Sequence, residues 1–267
     1  MKRRNKWLTF SLTALLTLSL VGCGNGADTD DQTNTGAGGD TAATKGKLIM
    51  ATSADYPPYE SHTTAGGTDE IVGFDVDIAK YITKQLGYDL EIQDMTFDGL
   101  IPALQAKRAD FVMAGMTPKP ERLKNADFSD IYYEAKNTIV TLKGKNLKTP
   151  DDLNGKTVGV QLGSIQESAA KDMAGVNIKP LNKINEIIQE LKSKRIDAAI
   201  IEDTVIKGYA ANNQDLEYNT IPNTEAAGSA VAFPKGSTHV QEFNTVLQQM
   251  QDNGKLDELI VKWFENK

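Results

Sequence analysis

Arg122 is the side chain in this sequence that is best suited to bind an anion. Its guanidinium is a planar fork that can donate to both oxygens of one carboxylate. Gly163 and Ser164 precede a predicted helix, and the first N–H groups of a helix point outward at the positive end of its dipole. These features predict a carboxylate site. The alternatives are a surface ion pair between Arg122 and Glu121 and, at Gly163 and Ser164, an ordinary turn and helix cap.

Glu202 is a candidate for binding the opposite charge. It directly follows a predicted buried strand, and its carboxylate could accept hydrogen bonds from an ammonium group. Asp203 comes next in the chain, and the sequence leaves open which of the two carboxylates reaches an amine. Gly115 would allow close backbone approach to a ligand, and Thr117 supplies a hydroxyl. The alternative for Glu202 and Asp203 is a solvated loop.

Tyr56 and Phe97 offer flat apolar surfaces to accompany these polar groups. An anion site, a cation site and an apolar wall are what a zwitterionic solute requires. The alternative for both aromatic residues is a place in the hydrophobic core. The sequence therefore favours a zwitterion site, provided that the fold brings the candidates together.

The elements that must position these residues alternate between strand and helix. In the first part of the chain, apolar residues repeat every four positions between Phe74 and Leu86, which predicts a helix that Gly87 ends. Asp98 is placed to cap a second helix over 100–104. The predicted strands around these helices are 47–52, 90–92 and 110–113. This order is typical of a parallel sheet covered by helices.

The same alternation recurs in the second part of the chain, which predicts a second α/β lobe. Its predicted elements are a strand at 157–160, helices at 166–173 and 185–193, and a strand at 198–201, with further helices at 240–250 and 256–264. In open sheets of this type, ligands bind beyond the carboxyl ends of the strands. The candidate residues follow predicted strand ends, so we expect them to face a common cleft between two lobes.

The N-terminal residues have the pattern of a secretory signal. Four basic residues up to Lys6 precede an apolar run at 8–21, which is shorter than the roughly 20 residues needed to cross a bilayer. The run ends at Leu20-Val21-Gly22-Cys23, which resembles the lipobox where bacterial lipoproteins are lipidated on cysteine and cleaved before it. We expect residues 1–22 to be a signal peptide and Cys23 to carry the lipid. The alternatives are a retained transmembrane helix and an unmodified cysteine.

The segment that follows is rich in Gly, Asp, Thr, Asn and Ala and has no large apolar residue. We therefore expect residues 23–46 to be a lipidated flexible tether that lets the folded part stand roughly 25 to 30 Å from a membrane. The formal net charge of the whole chain is -7, and removal of a basic signal peptide makes it more negative. This charge argues against a nucleic-acid partner. We expect no metal and no cofactor.

Six stretches of the sequence resemble the polar amino-acid-binding proteins of ABC importers. The matching stretches are 54–60, 73–79, 97–104, 114–117 with 121–122, 158–164 and 197–202. They extend over nearly all of residues 47–267, and together they are highly specific. Residues 70–80 and 184–188 look most like the arginine-type binders of Gram-positive bacteria.

The resemblance implies a two-lobed α/β fold of the periplasmic-binding-protein type II class, with two parallel-sheet lobes. Residues 47–135 and 229–267 would form lobe 1, and residues 136–228 would form lobe 2. Two crossovers near 135–138 and 228–231 would form the hinge on which the lobes close around a ligand. The lipid-anchored protein would lie on the extracellular face of the membrane and would deliver its ligand to an ABC permease with its ATPase.

The resemblance also implies a role for each candidate residue at a matching position. The carboxylate of a free L-amino acid would be held by Arg122, Ser164 and Ile165, and its ammonium by Gly115, Thr117 and Glu202. Tyr56 and Phe97 would stack on the ligand. The remaining predicted ligand-binding positions are Ser53, Ala114, Met116, Gln161 and Gln166.

The sequence leaves the identity of the amino acid open. Ser53 stands where lysine, arginine and histidine binders have an aspartate, which weakens the prediction of a basic ligand. Asp55, Glu60 and Asp98 remain candidate carboxylates for a cationic side chain. The primary expectation is arginine or another basic amino acid, and glutamine or cystine is the alternative.

Two functions from other classes compete with this interpretation. A dehydratase with the same fold could use Glu202 as a base, but HExxH, GxSxG and Cys-His pairings do not occur in the sequence. The two histidines, His62 and His239, lie in predicted loops. The other competitor is a ligand sensor that acts through a signalling partner. We expect a binding protein without catalytic activity.

Overall fold

The computed structural model describes residues 44–223 and 228–265 of the chain. The predicted signal peptide, Cys23 and most of the predicted tether lie outside the described residues. Within the described ranges, no helix has the length and apolar character that a membrane span requires.

The described chain contains fifteen strands and eight α-helices. The strands are β1 Lys47–Thr52, β2 Asp55–Tyr56, β3 Glu60–Thr63, β4 Glu70–Val72, β5 Asp89–Asp94, β6 Phe111–Val112, β7 Ala126–Phe128, β8 Tyr133–Glu134, β9 Asn137–Leu142, β10 Thr157–Gln161, β11 Asn177–Leu181, β12 Ala198–Glu202, β13 Leu216–Ile221, β14 Gly228–Ser229 and β15 Ala232–Pro234. The helices are α1 Phe74–Leu86, α2 Leu100–Gln105, α3 Pro120–Leu123, α4 Ile165–Lys171, α5 Ile184–Lys192, α6 Asp203–Asn212, α7 His239–Asp252 and α8 Lys255–Ile260. A π-helical turn, Val261–Glu265, follows α8.

The first lobe is built on a sheet with the strand order β5-β1-β6-β15-β7. Strand β1 runs parallel to β5 and β6, whereas β15 runs antiparallel to β6 and β7. Side chains of adjacent residues point to opposite faces of a strand. Met50 and Phe111 accordingly pack in the apolar cluster that includes α1 and α7, while Ala51 and Val112 pack in the cluster that includes α2. Helices therefore cover both faces of this sheet.

The second lobe has a sheet with the strand order β11-β10-β12-β9-β13. Strand β10 runs parallel to β11 and β12, and β9 runs antiparallel to β12 and β13. Ala199 and Ile201 pack in the cluster that includes α5, and Ala198 and Ile200 pack in the cluster that includes α4. The predicted two-lobed α/β fold is confirmed. Both sheets are mixed, however, and not parallel throughout. In each lobe, one strand that enters from a crossover runs antiparallel to its neighbours: β15 in the first lobe and β9 in the second.

The two segments that connect the lobes lie side by side. Strand β8 pairs antiparallel with β14, with Glu134 opposite Gly228 and Tyr133 opposite Ser229. These segments lead into β9 and β15, at the places where the sequence predicts the two crossovers. A narrow two-stranded connection of this kind is where hinge motion between lobes is absorbed. The lobe boundaries drawn from the sequence stay a prediction.

Local signals predict some element ends correctly and others wrongly. Helix α1 spans Phe74–Leu86 as expected, and Gly87 ends it in the left-handed conformation with φ +80°. The predicted cap at Asp98 is wrong. A 3₁₀ turn over Phe97–Gly99 contains Asp98 and moves the N-cap of α2 to Gly99, so the Asp98 side chain makes no capping hydrogen bond. Helix α6 was not predicted from the sequence.

Candidate functional site

A small cavity lies between the two lobes. The residues that line it, all of them predicted from the sequence, are Tyr56, Phe97, Gly115, Thr117 and Arg122 from the first lobe and Gln161, Ser164, Ile165, Gln166 and Glu202 from the second. The cavity therefore lies beyond the carboxyl ends of the parallel strands of both sheets.

Arg122 brings a buried positive charge to the cavity from helix α3. The residue is 7% exposed, and its guanidinium donates to the carbonyl oxygens of Thr117 at 2.7 Å and Gly163 at 2.9 Å. It also lies over the Phe97 ring at 5.1 Å. Burial lowers the pKa of Arg122 to about 10, which leaves it protonated at neutral pH. No aspartate or glutamate of the described chain forms an ion pair with it, so an incoming carboxylate would be its first anionic partner.

Helix α4 supplies backbone donors beside Arg122. The Ser164 hydroxyl caps this helix by accepting from the amide of Glu167 at 3.0 Å, and the Glu167 carboxylate accepts from the amide of Gly163 at 2.7 Å. These groups are thus already engaged. The amides of Ile165 and Gln166 are in the first turn, where a helix offers no acceptor of its own. Both residues line the cavity, so this turn can supply N–H groups to an anion.

Glu202 ends strand β12 and is 6% exposed. One of its oxygens accepts from the Thr204 hydroxyl at 2.6 Å, and the other accepts from the Tyr56 hydroxyl of the opposite lobe at 3.3 Å. Burial raises the pKa of Glu202 to about 7. Asp203 does not line this cavity, and its carboxylate accepts from the backbone amide of Lys136 at 3.1 Å. The geometry therefore favours Glu202 over Asp203 as the cation-binding group.

Gly115 is held in place by a buried aspartate that sequence reasoning missed. Its amide donates to Asp75 at 2.8 Å, and the other oxygen of Asp75 accepts from the Tyr132 hydroxyl at 2.8 Å. Gly115 has φ +56°, and an added Cβ would lie 3.0 Å from the Tyr56 ring. Burial raises the pKa of Asp75 to about 7. The available signal was an acidic residue on the apolar face of α1, where a charge requires a partner.

Two glutamines complete the polar lining. Gln161 is 3% exposed, and its side-chain nitrogen has no hydrogen-bond partner among the described residues. Gln166 donates from its side chain to Asn137 at 2.9 Å. Asn137 was not predicted as a site residue. It lines an adjoining cavity that shares Glu202 and extends toward the hinge strands.

Three predicted ligand-binding residues do not line the cavity. The Ser53 hydroxyl donates instead to the carboxylate of Asp55 at 3.1 Å. Ala114 and Met116 are 1% exposed and pack in the apolar cluster around α2. Their neighbours Gly115 and Thr117 line the cavity instead.

The structure also places the three candidate carboxylates for a cationic side chain away from the cavity wall. Asp55 accepts from the backbone amide of Ile184 at 2.6 Å. Glu60 is fully buried, neither of its oxygens has a hydrogen-bond partner among the described residues, and burial raises its pKa well above the ordinary range. Asp98 is exposed. Such a role is therefore not supported by the position of any of them.

The two histidines lie outside the cavity lining, and neither is in a loop. His62 is in β3 and pairs with Asp69 on the surface, and His239 is the first residue of α7 and pairs with Glu242. Among the described residues, no cluster of histidine, cysteine and acidic side chains could hold a metal ion.

Two α/β lobes joined by paired hinge strands, with a charged cavity between them, define a solute-binding protein of the hinged-lobe class. The chain belongs to the bacterial extracellular solute-binding proteins, family 3, which its residues 48–266 match. It is 47% identical to the arginine-binding extracellular protein ArtP of Bacillus subtilis over 97% of this chain and 98% of that protein.

Solved structures agree with this assignment. The substrate binding protein of an amino acid ABC transporter is 45% identical, with a TM-score of 0.80 over 82% of this chain and 99% of that chain. An ancestral arginine-binding protein bound to arginine is 40% identical, with a TM-score of 0.77 over 83% of this chain and 99% of that chain.

Proposed function

We propose that this protein binds arginine or another basic amino acid outside the cytoplasm and delivers it to the membrane permease of an ABC transporter. One observation carries the proposal: Arg122 and Glu202, each more than nine-tenths buried, come from opposite lobes and line the same cavity. The opposite charges of an amino acid's carboxylate and ammonium groups match this pair. A bound amino acid would thus connect the lobes.

The choice of arginine is supported by the relatives described above and by the aromatic lining. A guanidinium binds favourably over an aromatic face, and Tyr56 and Phe97 present such faces at the cavity. The Gln161 amide favours a second candidate, glutamine. Its side-chain nitrogen, which has no partner in the described part of the chain, is a donor. A donor matches the side-chain carbonyl of glutamine, whereas a guanidinium has no acceptor.

Calorimetric titration with arginine, lysine, histidine, glutamine and cystine tests the proposal. The protein is first unfolded and refolded to remove any ligand that copurifies. Arginine is expected to bind most tightly. Tighter binding of glutamine or cystine would correct the ligand within the same class of function, and no binding of any of the five would refute the proposal.

We also propose that the ligand is released chemically unchanged. Membership of a solute-binding family supports this statement, and the residues around the ligand serve as charge partners and packing surfaces in the binding role. The measurement is proton NMR of arginine after prolonged incubation with the protein. An unaltered spectrum is the expected result, and a new product would favour the dehydratase alternative.

We further propose that Cys23 is lipidated and holds the protein at the outer face of the cell membrane. The lipobox-like sequence before Cys23 supports this. A Cys23→Ser variant is expected to lose incorporation of labelled palmitate and to move from the membrane fraction to the medium. A control substitution in the same segment, Asn34→Ser, should change neither property. Retention of the label by Cys23→Ser would contradict the proposal.

A further inference from the structure

Asp55 connects the two lobes at a place outside the ligand cavity. It lies in β2 of the first lobe, and its carboxylate accepts from the amide of Ile184 in α5 of the second lobe at 2.6 Å. Its backbone carbonyl accepts from the hydroxyl of Tyr209, in α6 of the second lobe, at 2.9 Å. One residue of the first lobe therefore bonds to two helices of the second.

The contact with α5 has the chemistry of a helix cap. Ile184 is the first residue of this nine-residue helix. The preceding residue, Lys183, has no acceptor in its side chain and cannot cap the helix as serine or aspartate would. The Asp55 carboxylate takes that place from the opposite lobe. Its negative charge also lies at the positive end of the helix dipole.

Neighbouring groups orient the Asp55 carboxylate for this contact. The Ser53 hydroxyl donates to its other oxygen at 3.1 Å, so both oxygens are engaged. This hydrogen bond gives Ser53 a role although it does not line the cavity. Tyr56, the next residue in β2, does line it. The same two-residue strand therefore carries both a contact between the lobes and a wall of the ligand site.

We propose that Asp55 is a positioning residue that stabilises the closed form of the protein by capping α5 across the cleft. Opening of the lobes removes the cap, so the contact slows release of a bound solute without touching it. The proposal rests on the proposed function in one respect: arginine is the solute used to test it.

The test compares arginine association and dissociation rates, measured by stopped-flow fluorescence, in the wild type and in Asp55→Ala. The dissociation rate is expected to rise roughly five- to thirtyfold, as loss of a charged helix cap implies, while the association rate stays within about twofold. Asp55→Asn keeps an acceptor oxygen, so its dissociation rate should lie between those of the wild type and Asp55→Ala. Tyr209→Phe should raise the dissociation rate by a smaller factor.

Asp110→Ala is the matched control. Asp110 also accepts a backbone amide with its carboxylate, from Ile49 at 2.7 Å, but both residues belong to the first lobe. Its loss should lower the melting temperature and leave the arginine dissociation rate unchanged. An unchanged rate in Asp55→Ala, or an equal rise in Asp110→Ala, would overturn the proposal.

A failure of the proposed function has a different outcome, namely that the wild type does not bind arginine. The cap is then tested by the distance between two spin labels, one on the exposed face of each lobe, without any solute. Asp55→Ala is expected to shift the distance distribution toward larger separations, and Asp110→Ala is not. An unchanged distribution in Asp55→Ala would overturn the proposal in that case.

Discussion

Arg122→Ala is expected to weaken arginine binding by at least roughly a hundredfold, about 3 to 5 kcal/mol. The substitution would leave the ligand carboxylate desolvated in the closed cleft without its charge partner. It also removes the hydrogen bond from Arg122 to the Gly163 carbonyl, which crosses between the lobes. Titration calorimetry measures the change in affinity, and thermal unfolding of the ligand-free variant shows whether the fold is retained.

One further variant separates the fork geometry of Arg122 from its charge, and a second serves as a control. Arg122→Lys keeps a positive charge but cannot bond both carboxylate oxygens in one plane, so its affinity should lie between wild type and Arg122→Ala. Arg195→Ala is the control, because Arg195 is an exposed arginine that pairs with Glu190 at 2.7 Å on the surface. Wild-type affinity in Arg122→Ala would contradict the assignment of Arg122 to the carboxylate.

The positions of the cavity residues could be predicted because the fold fixes them through strand ends. Gln161 and Glu202 each end a parallel strand of the second lobe, and Gly115 follows β6 of the first. A parallel sheet places its carboxyl ends at one edge, and this rule holds whatever the detailed packing. The motifs that resemble the amino-acid-binding family then indicated which residues at those ends line the cavity.

The prediction was less accurate where tertiary packing decides the role of a residue. A carboxylate in the sequence near a binding motif can equally bind a ligand, cap a helix or stay in solvent. Asp55 caps a helix of the opposite lobe, and Asp98 is exposed. Asp75 supports the Gly115 backbone, a contact between residues 40 positions apart. Local sequence contains no signal for these pairings.

Antiparallel strands β9 and β15 were missed for a related reason. An apolar segment such as Asn137–Leu142 has the composition of a buried strand in either direction. Its direction is set by where the chain enters the lobe. Because β8 leads directly into it from the hinge, β9 enters its sheet opposite in direction to β12. The alternation of strands and helices predicted the number of lobes but not this reversal.

Glu202→Gln is expected to weaken arginine binding at about pH 8 by roughly thirtyfold or more, because it removes a buried anionic partner of the ligand ammonium. The amide preserves the shape of the side chain: its oxygen can accept from one of the Thr204 and Tyr56 hydroxyls, and its nitrogen can donate to the other. Asp203→Asn is the matched control and should bind arginine within about threefold of wild type. Equal losses in the two variants would contradict the choice of Glu202 over Asp203.

The same carboxyl makes arginine affinity depend on pH in wild type. Burial raises the pKa of Glu202 to about 7, and an ammonium ligand stabilises the ionised form, so the pKa must fall when arginine binds. Affinity should therefore decline as pH falls below about 7, by at most about tenfold per pH unit. Calorimetric titrations at several pH values measure this slope, which Glu202→Gln should largely remove.

The stability of the ligand-free protein should depend on pH in the opposite sense. A carboxyl whose pKa is raised by folding holds its proton more tightly in the folded state than in the unfolded state. Its contribution to stability is present below the ordinary pKa of about 4.5 and is lost as pH rises through about 7. Urea unfolding without ligand should thus give a higher free energy of unfolding at about pH 5.5 than at pH 8, while arginine binds more tightly at pH 8.

Asp75, whose pKa burial also raises to about 7, adds to the stability effect but does not line the cavity. In Glu202→Gln, therefore, the pH dependence of arginine affinity should disappear, while part of the pH dependence of stability should persist. Loss of both pH dependences in this variant would show that Glu202 alone controls stability and affinity.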